Sequence, residues 1–209
     1  MTNILLIAFT ISLIYLGVAN RLSSYLTTLV FQGIILFGVA FIELIEINWL
    51  NLTFVLLETI AFKTIAVPYF LNYIIKKNKI TRDTEPFLPD IVSVILITSI
   101  ILGSFLISNS VNDSGLRKIF FVVAISALFT GLYIIISRKK IITHIMGYMV
   151  MENGVFILSI AVGNKMPMLV NAGIILDIFV SVLVLGMFVN KIGNTFEEMD
   201  VDNLMNLKD

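Results

Sequence analysis

Residues 141–162 read IITHIMGYMVMENGVFILSIAV, and this stretch decides the fold. Its 22 residues hold no Lys or Arg, one His, His144, and one carboxylate, Glu152. Wound as α-helix they extend about 33 Å, at ~1.5 Å per residue, enough to cross a hydrocarbon core ~30 Å thick. The run is therefore a membrane-spanning helix. Yet Glu152 and Asn153 stand side by side near its middle, where a lipid-facing carboxylate has nothing to offset its cost.

Outward from this stretch the pattern repeats. Of the 209 residues 58% are hydrophobic and 13% charged, roughly half the charged share that keeps a soluble domain wet. The apolar residues gather into runs close to the ~20 needed for a span. Seven are predicted: 3–19, 25–47, 49–75, 91–107, 119–136, 141–162 and 167–189. The expectation is an all-α polytopic membrane protein of about seven transmembrane helices. Polar connections such as KKNKITRDTEPFLP, SNSVNDSGLRK, SRKK and GNKMP separate them. The first apolar run has no basic residue before it and no small-residue cleavage site after it, so a retained N-terminus is expected. No repeat of 20 to 50 residues is visible.

Composition also excludes chemistry. With no Cys and a single His, the chain cannot assemble a thiolate-held iron–sulfur cluster, a Cys-rich zinc site or a bis-His haem. Fourteen basic residues balance 14 acidic ones, which leaves no basic surface for nucleic acid. Lipid bilayer is the expected surrounding.

Lys and Arg set the orientation. Seven spans send Arg21, Lys76, Lys77, Lys79, Arg82, Arg138, Lys139, Lys140, Lys191 and Lys208 to one side, and Arg117, Lys118 and Lys165 to the other. The positive-inside rule makes the first side cytoplasmic, with the N-terminus outside and the C-terminus inside.

Lys63 is left over within the third span. With Glu152 and Asp177 it makes three ionisable groups deep in the membrane. At ~1.5 Å per residue, Lys63 is roughly 18 Å from the inner end of its span, while Glu152 and Asp177 lie about 16 and 15 Å below the GNKMP turn. All three fall near the midplane. Each costs ~2.5–3.5 kcal/mol on insertion scales, so they are expected to face the bundle interior and to pair. Glu58, about a turn and a half outward of Lys63, is an accessory candidate, as is Asn153.

Two readings of this set stand. In one it is a structural ion pair joining spans 3, 6 and 7. In the other it is a proton relay, since a buried carboxyl can load and release a proton near neutral pH. His144, Tyr148 and Glu152 recur every four residues up one face of the sixth span, which offers an inner half-channel; alternatively His144 snorkels to the headgroups and Tyr148 only packs. Pro68 cannot donate to the carbonyl of Thr64, beside Lys63, which frees a polar group or merely bends the helix. Gly147 and Gly154 are expected to admit close helix packing.

The stretches GLYIIISRKKIITHIMGYMVMENG (131–154), AGIILDIFVSVLVLGMFVNKI (172–192), the tail DVDNLMNLKD (200–209) and AFKTIAVPYFLNYI (61–74) resemble component E of hydrogenase-4 and formate hydrogenlyase-type complexes. GYMVMENG, residues 147–154, is the most specific part. The last three spans also resemble the small three-helix subunit of respiratory complex I and its relative in multisubunit cation/proton antiporters. That subunit carries two intramembrane glutamates on a lateral proton path. By the resemblance the second corresponds to Asp177, while Met149 takes the place of the first and Glu152 falls about one turn later.

The resemblance implies a division into an N-terminal four-helix membrane region (1–118), a three-helix region (119–192) and a cytoplasmic tail (193–209). It also implies a non-catalytic, multi-pass subunit of the cytoplasmic (inner) membrane, with no cofactor in this chain. Partners would be antiporter-like membrane subunits, other hydrogenase membrane subunits, and a peripheral hydrogenase arm holding a nickel–iron centre and iron–sulfur clusters. Lys63, Glu152, Asp177, His144 and Tyr148 would then serve proton translocation. A cation/proton antiporter component and a structural anchor with buried ion pairs remain as alternatives.

Overall fold

The computed structural model describes residues 1–44, 53, 56, 58–77, 84–111 and 115–162. Helix fills them in this order: α1 (Thr2–Val18), α2 (Leu22–Leu44), a π-helical segment (Glu58–Ala66) running directly into α3 (Val67–Lys77), α4 (Asp90–Ser110), α5 (Lys118–Ser137) and α6 (Ile141–Ala161). No strand is formed among the described residues, which hold only isolated bridge positions such as the one between Pro86 and Arg138. The seventh predicted span, which carries Asp177, lies outside the described residues.

Four of these helices, covering Leu22–Glu43, Asp90–Ser110, Lys118–Ser137 and Ile141–Ala161, are long and apolar enough to cross a membrane; α1 is apolar but shorter, at 17 residues. This is an all-helical membrane protein. Five of the predicted spans thus coincide with helix, within a few residues at each end, and the third is helical from Glu58 to Lys77.

Successive helices run antiparallel, and hydrogen bonds at the two ends of the bundle fix this. At one end Tyr25 Oη donates to the carbonyl of Leu16, and Asn20 Nδ2 donates to Asp90, both at 3.0 Å. The backbone N–H of Phe87 reaches Ser137 O at 2.9 Å. At the other end Arg117 pairs with Glu43 at 2.5 Å, and its backbone N–H meets Ala161 O at 2.9 Å. Arg21, Lys76, Lys77 and Arg138 to Lys140 therefore share one end, and Arg117 and Lys118 the other.

That basic end is less solvated than a charge cluster suggests. Arg138 is 1% exposed and Lys140 5% exposed. The segment 84–89 lies over them: Glu85 pairs with Lys140 at 2.9 Å, and its carbonyl accepts from Lys139 N at 3.3 Å. The Arg138 guanidinium donates to Gly17 O at 2.9 Å and to Thr84 Oγ1 at 3.3 Å. Neutral oxygens from α1 and the 84–89 segment thus hold the charge, as buried polar groups require.

The helix α6 lies at the centre, two thirds (67%) buried against 22% for α4. It approaches α5 closely because glycine is there to permit it. A Cβ on Gly147 would lie 2.8 Å from Gly131 O, and one on Gly154 would lie 2.9 Å from Ala124 O. Without an interhelical hydrophobic drive in lipid, such close backbone contact is what holds membrane helices together. The packing role expected of Gly147 and Gly154 is what the geometry gives them.

Candidate functional site

The third predicted span is where sequence and local structure diverge. Residues Glu58–Ala66 wind as π-helix, and α-helix resumes at Val67. Pro68 is thus the second residue of α3, just after the junction, where it has no N–H to donate back into the π-helical segment. The wider winding shows in Thr64, whose hydroxyl donates to the carbonyl of Thr59, five residues back, at 2.8 Å. Lys63 sits near the end of this segment. Such segments are rare and occur preferentially at functional sites.

Lys63 Nζ lies 2.7 Å from Glu152 Oε1, and both residues are buried. Apart from each other, neither atom has a hydrogen-bond partner among the described residues. The ammonium also stands 4.7 Å from the centroid of the Phe156 ring, one turn further along α6. This is the pairing that the depth arithmetic anticipates, joining the third span to the sixth.

A second polar contact lies next to it. Asn153 Nδ2 donates to Gln32 Oε1 at 3.1 Å, Gln32 Nε2 donates to Ser12 Oγ at 2.9 Å, and Ser12 Oγ donates to Phe9 O at 2.6 Å. Gln32 is 0% exposed. The chain of amide and hydroxyl groups therefore connects α6 through α2 to α1, beside the ion pair. Sequence reasoning missed Gln32 and Ser12. The signal was an amide in the middle of an apolar run, fainter than a charge because burying it costs less.

The remaining candidates separate. His144 Nε2 donates to the carbonyl of Arg138 at 2.9 Å, which ties the ring back to the connection between α5 and α6. Tyr148 is partly buried and packs against the apolar core. Glu58 lies on the π-helical segment, and Asp177 lies outside the described residues. Between α2 and α3 a groove of about 500 Å³ reaches from Ser23, Thr27 and Asn72 to Thr64, the neighbour of Lys63.

Comparison with known proteins adds a frame. The family model of NADH-ubiquinone/plastoquinone oxidoreductase chain 4L matches residues 119–209. Hydrogenase-4 component E of Escherichia coli (strain K12) is 36% identical over 86 residues, 41% of this chain and 40% of that protein. The same component of Shigella flexneri matches equally. The match thus spans about two fifths of the length of these relatives. An uncharacterized protein of Mycobacterium tuberculosis is 21% identical over 184 residues, 87% of this chain and 84% of its own. No solved structure matches the chain. Glu152 and Asn153 fall inside the matched 119–209 region, whereas Lys63, Gln32 and Ser12 lie outside it. Through residues 119–209 the chain is similar to chain 4L of the NADH-quinone oxidoreductases, and over 86 residues it is similar to component E of hydrogenase-4.

Proposed function

We propose that this chain is a non-catalytic membrane subunit of a multisubunit respiratory-type hydrogenase complex of the hydrogenase-4 kind. Its buried charges take part in proton translocation coupled to redox chemistry in other subunits. The observation that carries this reading is the Lys63–Glu152 ion pair at 2.7 Å, which joins the chain 4L-like region to the helices before it. At this separation and an effective dielectric of ~20, the attraction is roughly 6 kcal/mol. Placing two charges at the midplane costs ~5–7 kcal/mol. The two terms nearly cancel, so a modest change at Lys63 decides whether Glu152 keeps its charge.

The π-helical winding supplies such a change. Rewinding it as α-helix would turn Lys63 about the helix axis and withdraw the ammonium, after which Glu152 takes up a proton. Return of Lys63 expels it. Asp177, on a seventh span, is the next acceptor along the membrane, with His144 and Tyr148 on the inward side of Glu152. The groove between α2 and α3, with Ser23, Thr27, Thr64 and Asn72 among its lining residues, offers water a path toward Lys63.

In the cell we place the protein in the inner membrane with seven spans, the N-terminus outside and the C-terminus inside. The regions are 1–118, 119–192 and a tail over 193–209. Antiporter-like subunits and other hydrogenase membrane subunits lie beside it. A peripheral arm with a nickel–iron centre and iron–sulfur clusters carries the electrons. The likeness to component E favours this over an antiporter without a redox partner. The test is to purify the chain from its own membranes under mild detergent and identify what accompanies it. Hydrogenase and antiporter-like subunits are expected; antiporter subunits alone would replace the reading with the antiporter one, and a chain purified alone would refute assembly.

A further inference from the structure

We infer that Gln32 and Gly33, consecutive residues of α2, set the separation of the Lys63–Glu152 pair. The inference rests on reading that pair as the proton-handling site, yet neither residue touches it. Gln32 acts toward Glu152. Its amide is used at both ends, accepting from Asn153 and donating to Ser12, and Asn153 is the chain neighbour of Glu152. An amide bonded on both sides cannot flip without losing a bond. Rotation of α6 about its axis would likewise break the Asn153 contact, so Gln32 fixes how far Glu152 reaches.

Gly33 acts toward Lys63. A Cβ at this position would lie 2.5 Å from Thr64 Oγ1 and 3.2 Å from Thr64 Cα. Only glycine lets the π-helical segment come this near to α2. Thr64 is the chain neighbour of Lys63, and its hydroxyl is already committed to Thr59 O. It has little freedom to step aside. Neighbouring residues on a helix point about 100° apart, so α2 seats in the crevice between its two partners. One residue gauges α6 at Glu152, and the next gauges the π-helical segment at Lys63. Both are positioning residues.

The test reads the pair directly, in native membranes holding the full chain. A protonated membrane carboxyl gives its proton to a hydrophobic carbodiimide and adds through oxygen to its central carbon, whereas a carboxylate held on an ammonium is spared, so labelling of Glu152, followed by mass spectrometry, reports whether Lys63 holds it. Lys63→Met sets the upper level. Gln32→Leu and Gly33→Ala are each expected to raise labelling about fivefold over wild type, which corresponds to roughly 1 kcal/mol, the usual worth of one interhelical hydrogen bond. In the Lys63→Met background neither adds anything. Thr64→Ala combined with Gly33→Ala removes the hydroxyl that the new methyl meets and returns labelling toward wild type. Where Gln32→Leu does not accumulate, Asn153→Ala severs the same bond from the α6 side. A change that only loosened the bundle would lower the amount of chain without raising Glu152 labelling per chain.

Unchanged labelling in the α2 variants overturns the inference. So does unchanged labelling in Lys63→Met, because then there is no held carboxylate to position. Unchanged labelling in the α2 variants alone leaves the relay reading standing, unchanged labelling in Lys63→Met counts against both, and failure of the relay in the translocation assay leaves the positioning standing.

Discussion

Removing Lys63 should harm the protein more than removing the charge of Glu152, and removing both should harm it least. In Lys63→Met the carboxylate loses the ammonium 2.7 Å away. It then stays charged and unpaired or takes up a proton, and removing one partner of a buried pair in this way costs ~3–5 kcal/mol. In Glu152→Gln the amide oxygen still accepts from the ammonium, a hydrogen bond worth ~1.5–3 kcal/mol. The Phe156 ring at 4.7 Å contributes about 1 kcal/mol more. Against ~3 kcal/mol for one lone cation, the net loss is about 1 kcal/mol or less. Replacing both partners by Met removes the attraction and the desolvation cost together, which leaves stability near wild type. The assay is chain content in membranes together with the thermal midpoint after solubilisation. The expected order is wild type close to the double variant, then Glu152→Gln, with Lys63→Met lowest. A double variant no better than Lys63→Met would refute the reasoning, because the two losses would then be independent.

Further outcomes follow from the packing. Gly147→Leu drives a side chain into the carbonyl of Gly131 and should cost about 1–3 kcal/mol or more, preventing accumulation on immunoblots of membranes; Gly103→Leu, which meets nothing within 4 Å, should accumulate normally. Arg138→Lys cannot reproduce the bonds to both Gly17 and Thr84, and should lower the thermal midpoint by the equivalent of roughly 2 kcal/mol; an unchanged midpoint would deny Arg138 its role in closing that end. Reporter fusions at the C-terminal tail should be active only in the cytoplasm, and a tail outside would remove the seven-span arrangement.

The sequence carries the ion pair openly and its supports faintly. Lys63 and Glu152 are distant in the chain, but membrane helices have fixed rise and alternate direction, so depth alone puts them at one level. Glycine spacing marks the α5–α6 contact for the same reason. The π-helical winding before Pro68 is not readable, since proline removes one donor and leaves the choice of bend or rewinding to the neighbouring helices. Arg138 reads as solvated because a basic run normally is. Its burial depends on the 84–89 segment folding over it, a contact between residues about 50 positions apart. Gln32 is missed because an amide is cheap to bury compared with a charge. The even spacing of His144, Tyr148 and Glu152 suggested one continuous face, yet the His144 ring turns back to the Arg138 carbonyl.

Proton translocation in inverted membrane vesicles, driven by hydrogenase turnover and normalised to subunit content, tests the central claim most directly. Glu152→Gln and Asp177→Asn keep shape and hydrogen-bonding capacity but cannot exchange a proton. Each is predicted to lower the translocation rate at least about a hundredfold, the lower end of what a lost proton-transfer group costs, while the complex stays assembled. Translocation at the wild-type rate in both variants would contradict the account and leave the buried carboxylates as structural groups.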